Sequence, residues 1–186
     1  MNLYDDAVRV LTLWPNPVDP LKRPRAGPRA LARSRKLIRL GPAVLRRDHL
    51  AGHVTASAII VHDDRKQVLL CLHGRFNKWV QLGGHCENED KTVAEAALRE
   101  ATEESGIEDL IIDPVPIALD IHKVSCSAGP THHYDILFAV LAPPGAAEQV
   151  SAESHALGWF RPDALPSPMG NGTEAVIGLA LARFAL

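Results

Sequence analysis

Glu100, Glu103 and Glu104 are the residues of this chain best placed to do chemistry together. On a helix, positions i, i+3 and i+4 project from one face, so the three carboxylates stand side by side. Like charges at that spacing destabilise an isolated helix by a few tenths of a kcal/mol per pair. A cation among them would reverse that cost, and clustered oxygens suit a hard ion, Mg2+ or Mn2+, better than zinc. The immediate context is Arg99-Glu100-x-x-Glu103-Glu104-x-Gly106. The plain alternative is a solvated acidic face, with Arg99 and Glu103 forming an ordinary i,i+4 pair.

Local signals predict the helix that must carry these groups. Thr92 and Glu95 form a Thr-x-x-Glu capping box, the run from Val93 to Ser105 is rich in Ala and Glu, and Gly106 sits where a helix C-terminus is closed. Ala94, Ala97, Leu98 and Ala101 offer small apolar positions for packing on a sheet. Ahead of the helix, Gly83-Gly84 predicts a tight turn that lets backbone approach a ligand.

Residues 83–107 resemble the signature of the Nudix hydrolases, G-x5-E-x7-R-E-U-x-E-E-x-G-U, where U is aliphatic. Arg99, Glu100, Glu103, Glu104, Gly106 and Ile107 match its second half, with Ala101 at the first U. The first half is one residue longer, 15 steps from Gly84 to Arg99 in place of 14. That insertion leaves Glu87, Glu89 or Asp90 to take the part of the first glutamate. Upstream, Trp79-Val80-Gln81-Leu82-Gly83-Gly84 is similar to the family's W-x-x-P-G-G, with Leu82 for proline. The resemblance extends over roughly residues 53–165. It implies an α/β/α sandwich around a mixed β-sheet and hydrolysis of a pyrophosphate bond in a nucleoside diphosphate linked to another moiety. It also implies that Glu100, Glu103, Glu104 and the Gly83 carbonyl hold the metal while Arg99 orients the carboxylates. The general base is then Glu100 or a later-loop acid, for which Glu153, six residues before Trp159, is the candidate. A nucleotide-binding Nudix sensor, or an isomerase related to isopentenyl-diphosphate isomerase with Cys86 as its cysteine, are the alternatives. Both fit less well with a complete set of box carboxylates.

The nine histidines are a second peculiarity. Asp120 and His122 share one side of an expected strand, as do His133 and Asp135 on the next, because side chains alternate with period two. With His85 after the glycines and His53 before the first sheet strand, they are read as lining a cleft for phosphate or base, or as a further metal site. Singly, each is more simply a strand-end histidine satisfied by a carbonyl. Arg75 and Lys78 are loop cations suited to phosphate.

Composition is that of an ordinary globular domain, with 46% hydrophobic and 23% charged residues and a net charge of −2. Cys71, Cys86 and Cys126 are odd in number and lack CxxC spacing, so neither a disulfide framework nor a zinc site is expected from them. No apolar run approaches the ~20 residues of a membrane span, and the first residues do not read as a secretory signal; a cytoplasmic location is the expectation. Residues 21–50 hold ten of the twenty Lys and Arg against a single acid, Asp48. The expected division is a basic, proline-containing, partly helical extension over 1–50 and the Nudix domain over 51–186. In the extension, helices are expected near residues 2–13, Arg29–Leu40 and Ala43–Leu50. Its arginines reach substrate phosphates or a second subunit of a homodimer on one reading. On the other, Leu31, Leu37, Ile38 and Leu45 pack it on the body. It carries no interleaved aromatic residues, so nucleic acid is not an expected partner.

Strands are expected at Val54–Val61, Gln67–Leu72, Trp79–Leu82, Ile117–Val124, Tyr134–Leu141 and Leu157–Phe160, with a closing helix over Thr173–Phe184.

Overall fold

The computed structural model describes residues 1–15, 24–75, 77–126, 129–150 and 154–185. In chain order these form α1 (Leu3–Thr12), β1 (Arg25–Ala26), α2 (Pro28–Ile38), β2 (His53–Val61), β3 (Val68–His73), β4 (Lys78–Val80), β5 (Leu82–His85), α3 (Val93–Ser105), β6 (Ile111–Cys126), β7 (Gly129–Leu141), β8 (Ser154–Phe160) and α4 (Glu174–Arg183). The strands make one mixed sheet in the order β1-β6-β7-β2-β3-β4, with β5 added to β2 and β8 to β3. At its centre β2 and β7 run parallel from His53 opposite His133 to Val61 opposite Leu141. Strands β6 and β7 form a long antiparallel pair.

Side-chain alternation decides which layer each strand residue joins. Val54 and Ala56 of β2, with Ile136 and Phe138 of β7, pack under α1, α2 and the start of α3. Ala58, Ile60 and Leu82 continue that layer under Ala101 and Ile107. Ile59, Val61, Leu137 and Ala139 point the other way, onto Val176, Ile177 and Ala180 of α4. The α/β/α sandwich follows, with α3 on one face and α4 on the other. Among the described residues, no helix is long and apolar enough to cross a membrane.

Helix α3 has the bounds its local signals predict. The Thr92 hydroxyl accepts from the Glu95 amide at 3.0 Å, and Gly106 closes the helix in the left-handed region at φ 67°, where a side chain would be strained. A further cap comes from far away: Asp6 of α1, itself buried, accepts from the Val93 amide at 2.9 Å. The expected packing of the basic extension is also seen. Leu37 and Ile38 are buried in the α1–α3 layer and Leu31 and Leu45 partly so. Arg35 donates to the carbonyls of Leu11 and Thr12.

Two expectations are corrected. In place of a helix over Ala43–Leu50 there is one short 3-10 turn, Pro42–Leu45, after which Arg46 is already extended. The Gly83-Gly84 pair is not a tight turn but the middle of β5, opposite Ser57 and Ala56 of β2. Glycine is required there for clearance: a Cβ on Gly83 would overlap Ser57, and its φ of +146° already excludes other residues.

Candidate active site

The acidic face of α3 lies along β5. The Gly83 amide donates to Glu104 Oε2 at 2.8 Å, and Glu104 is nearly buried, at 9% exposure. Glu100 rests on the next residue: a Cβ added to Gly84 would lie 2.7 Å from its Oε2. The side chain of Glu103 is 59% exposed, against 15% for Glu100. The three carboxylates therefore run from buried to open along one surface of the β5 backbone.

Arg99 holds this arrangement. Its Nη1 donates to Glu100 at 3.2 Å and to Glu103 at 3.0 Å. Its Nε and Nη2 fork onto the two oxygens of Asp90, each at 3.2 Å, a bidentate geometry that only arginine supplies. Nη2 also donates to the His85 carbonyl at 2.8 Å. Burial works to lower the Arg99 pKa, but the hydrogen bonds and charges of Asp90 and Glu100 overcome it and raise the pKa above the ordinary arginine value. Asp90 is thus the acid, of the three weighed from sequence, that pairs with Arg99. It is buried, and its Oδ2 also accepts from the Glu87 amide at 2.7 Å, which ties down the longer loop. The Glu87 side chain stays at 4.0 Å from Arg99.

The residues match a hard cation on their own terms. They offer carboxylate oxygens from one helix face, and Gly84 leaves room beside Glu100 that a Cβ would fill.

A family model described as the NUDIX domain matches residues 52–177. The chain belongs to the Nudix family. Among solved structures it is similar to a NUDIX-family hydrolase from Clostridium perfringens, at 24% identity and a TM-score of 0.53 over 69% of this chain and 93% of that one. It is also similar to the MutT NUDIX hydrolase from Burkholderia pseudomallei, at 27% identity and a TM-score of 0.50 over 67% and 94%. A third likeness is the NUDIX domain of NrtR from Shewanella oneidensis, solved with ADP ribose, at 18% identity and a TM-score of 0.53 over 71% and 88%. The first and third bear on the fold alone. Among proteins of curated function, none matches the chain. As a member of the Nudix family the chain is a pyrophosphohydrolase, and α3 with β5 is its Nudix box.

The other expected site residues fall elsewhere. His85, His133 and His122 lie on the sheet face opposite α3, because they alternate with residues that face the helix. Asp135 shares that face but is fully buried; it accepts hydroxyl bonds from Thr55 at 2.9 Å and Ser57 at 2.8 Å, and burial raises its pKa. Its oxygens are occupied by these hydroxyls. His122 pairs with Asp120 at 2.9 Å; this bond raises the His122 pKa and lowers that of Asp120. Arg75 donates to the Ser125 carbonyl at the end of β6, and Lys78 opens β4 opposite His73. Glu153 lies outside the described residues. Cys86 packs against the α1–α3 layer, its thiol pushed up to about 12 by burial.

Proposed function

We propose that this Nudix enzyme depends on Mg2+ or Mn2+ and cleaves the pyrophosphate bond of a nucleoside diphosphate joined to another moiety. The observation that carries this reading is the seating of Glu104 on the Gly83 amide and of Glu100 against Gly84. It sets the box carboxylates beside a strand with no side chains in the way. Glu100, Glu103, Glu104 and the Gly83 carbonyl are the groups to hold the ion. When bound, the ion supplies charge neutralisation for the phosphate oxygens and orientation of the attacking water.

The chain's own residues do the rest. Arg99, fixed by Asp90, keeps Glu100 and Glu103 aimed, so they lose little entropy when a ligand arrives. Glu100, the more buried of that pair, is the base proposed to take a proton from the attacking water, with Glu153 as the other candidate. Exposed Glu103 faces the side from which substrate enters. Arg75, Lys78 and His122 are the groups offered to phosphate and base, through charge and hydrogen bonding. Water adds to phosphorus, the bridging P–O bond breaks, and two phosphate-ended products leave.

A phosphate-release screen over ADP-sugars, dinucleoside polyphosphates and modified nucleoside triphosphates, each with Mg2+, Mn2+ or EDTA, tests the proposal. Turnover abolished by EDTA and lowered at least ~100-fold in Glu103→Gln is the expected result. Equal turnover in that variant, turnover indifferent to EDTA, or tight binding of substrates without cleavage would overturn it.

A further inference from the structure

On the sheet face away from α3, four strands deliver one side chain each to a single point. These are His53 from β2, His85 from β5, Cys126 from β6 and His133 from β7; their ligand-type atoms all lie within 4.8 Å of one another. The Cys126 sulfur is 3.4 Å from Nε2 of His133 and 3.8 Å from Nε2 of both His53 and His85. The three imidazole rings pack with centroids 4.8–5.1 Å apart.

Ordinary hydrogen bonding does not explain this convergence. A thiol has one proton and donates to one nitrogen at most. The other two Nε2 atoms can reach the sulfur only as N–H donors to a weak acceptor, at 3.8 Å for His53 and His85, so three rings and a thiol converge for little hydrogen-bond gain. A cation at the centre satisfies all four at once. A tetrahedral ion with bonds of about 2.3 Å to sulfur and about 2.05 Å to nitrogen sets S···N edges of about 3.6 Å, inside the observed range of 3.4 to 3.8 Å. The outer shell agrees. Nδ1 of His53 faces the His49 carbonyl at 3.4 Å, which commits its proton there and leaves Nε2 as a lone pair, the arrangement metal-bound histidines usually show.

We infer that His53, His85, Cys126 and His133 form a closed tetrahedral site for a zinc-class transition metal, distinct from the carboxylate site of the Nudix box. One thiolate and three imidazoles are soft and borderline donors that favour Zn2+ over Mg2+. Four protein ligands fill the tetrahedron and leave no open position, so the ion's part is structural. It clamps β5 to β2, β6 and β7 directly beneath the glycines against which the box glutamates rest. Binding forms one metal–sulfur and three metal–nitrogen bonds, and the Cys126 proton leaves to solvent. Cysteine spacing gave no hint of zinc because the other three ligands are histidines from separate strands.

The test uses the full chain. Protein purified without chelator is expected to carry about one zinc per chain. The metal-free protein titrated with Co2+ is expected to show a thiolate charge-transfer band and the strong visible bands of a tetrahedral ion. Zinc should also protect Cys126 from iodoacetamide, read by peptide mass; this ties the band to that thiol without any variant. Cys126→Ser should lose the charge-transfer band and bind zinc more than ~100-fold more weakly, since even outer-shell changes cost roughly 10–100-fold. Glu103→Gln should retain both zinc and the band. A wild-type chain with neither zinc nor the cobalt bands, a band that survives in Cys126→Ser, or zinc lost from Glu103→Gln would each overturn the assignment. None of these readouts requires hydrolysis, so they stand apart from the test of catalysis.

Discussion

Nη2 of Arg99 donates to the main-chain oxygen of His85 at 2.8 Å, while the His85 imidazole turns to the opposite face of the sheet. One peptide unit of β5 therefore joins the acidic helix to the histidine cluster. The same guanidinium reaches Asp90, Glu100 and Glu103, so its loss removes one partner from each carboxylate and from the strand together.

Replacing Arg99 with lysine keeps a charge but removes the fork. Charge-assisted hydrogen bonds are worth about 1.5–3 kcal/mol each, so kcat/KM should drop about 10–100-fold in Arg99→Lys and further in Arg99→Ala. Steady-state kinetics with saturating Mg2+ checks this; wild-type rates in the lysine variant would show that positive charge alone suffices.

The two glycines should respond differently. In Gly84→Ala the methyl group meets Glu100 Oε2, a carboxylate that must move aside, so hydrolysis should fall at least ~10-fold with little change in thermal midpoint. In Gly83→Ala the methyl overlaps the β2 backbone at a positive φ. Stability should suffer there, by about 2 kcal/mol or more. Calorimetry and kinetics on both variants separate the cases, and full activity in Gly84→Ala would refute the placement of Glu100.

Removal of the Asp6 carboxylate should be felt at the start of α3, 87 positions away. Asp6→Ala leaves the Val93 amide without its acceptor and Arg9 without its partner, at a cost of about 1–2 kcal/mol. The thermal midpoint should fall by several degrees and kcat/KM should fall with it, while Asp6→Asn, which retains an acceptor oxygen, recovers most of the stability. Hydrogen exchange at the first turn of α3 is the direct readout.

Thiol titration gives a pH prediction. Burial, aided by the nearby Glu104 charge, pushes the Cys71 thiol up to about 12, and burial does the same for Cys86. A pKa raised in the fold means that the protonated thiol is favoured there. The associated stability is complete below the ordinary thiol pKa near 9 and is lost as pH rises toward 12. Both residues should resist iodoacetamide at pH 8 in the native protein and react once it is denatured. Denaturant midpoints should decline above pH 9, less so in Cys71→Ala.

Much of this was legible where signals are local. Thr92 and Gly106 delimit α3 because both caps act within four residues of the helix. The period-two pattern placed Asp120 and His122 on one side of their strand and His133 and Asp135 on one side of the next, and the register brings the pairs to a common face, with Asp120 opposite Asp135 and His122 opposite His133. Strand β6 begins earlier than Ile117 because Pro114 and Pro116 sit where its pairing shifts register between Asp113 and Ala118, a place that tolerates a missing amide. What stayed hidden was long-range. The cap from Asp6 spans 87 positions and the contact of Cys126 with His53 spans 73; neither leaves a periodic trace.

The histidine–cysteine cluster also has a bearing on how the chain reaches its native pairing. Its four members come from four strands, and each faces the common point only in one alignment. A slip of one residue along β6 and β7 would send Cys126 or His133 to the far side of the sheet. The cluster assembles only when all four strands have met correctly, which makes it a proofreading mark for the topology: a misaligned chain cannot counterfeit it.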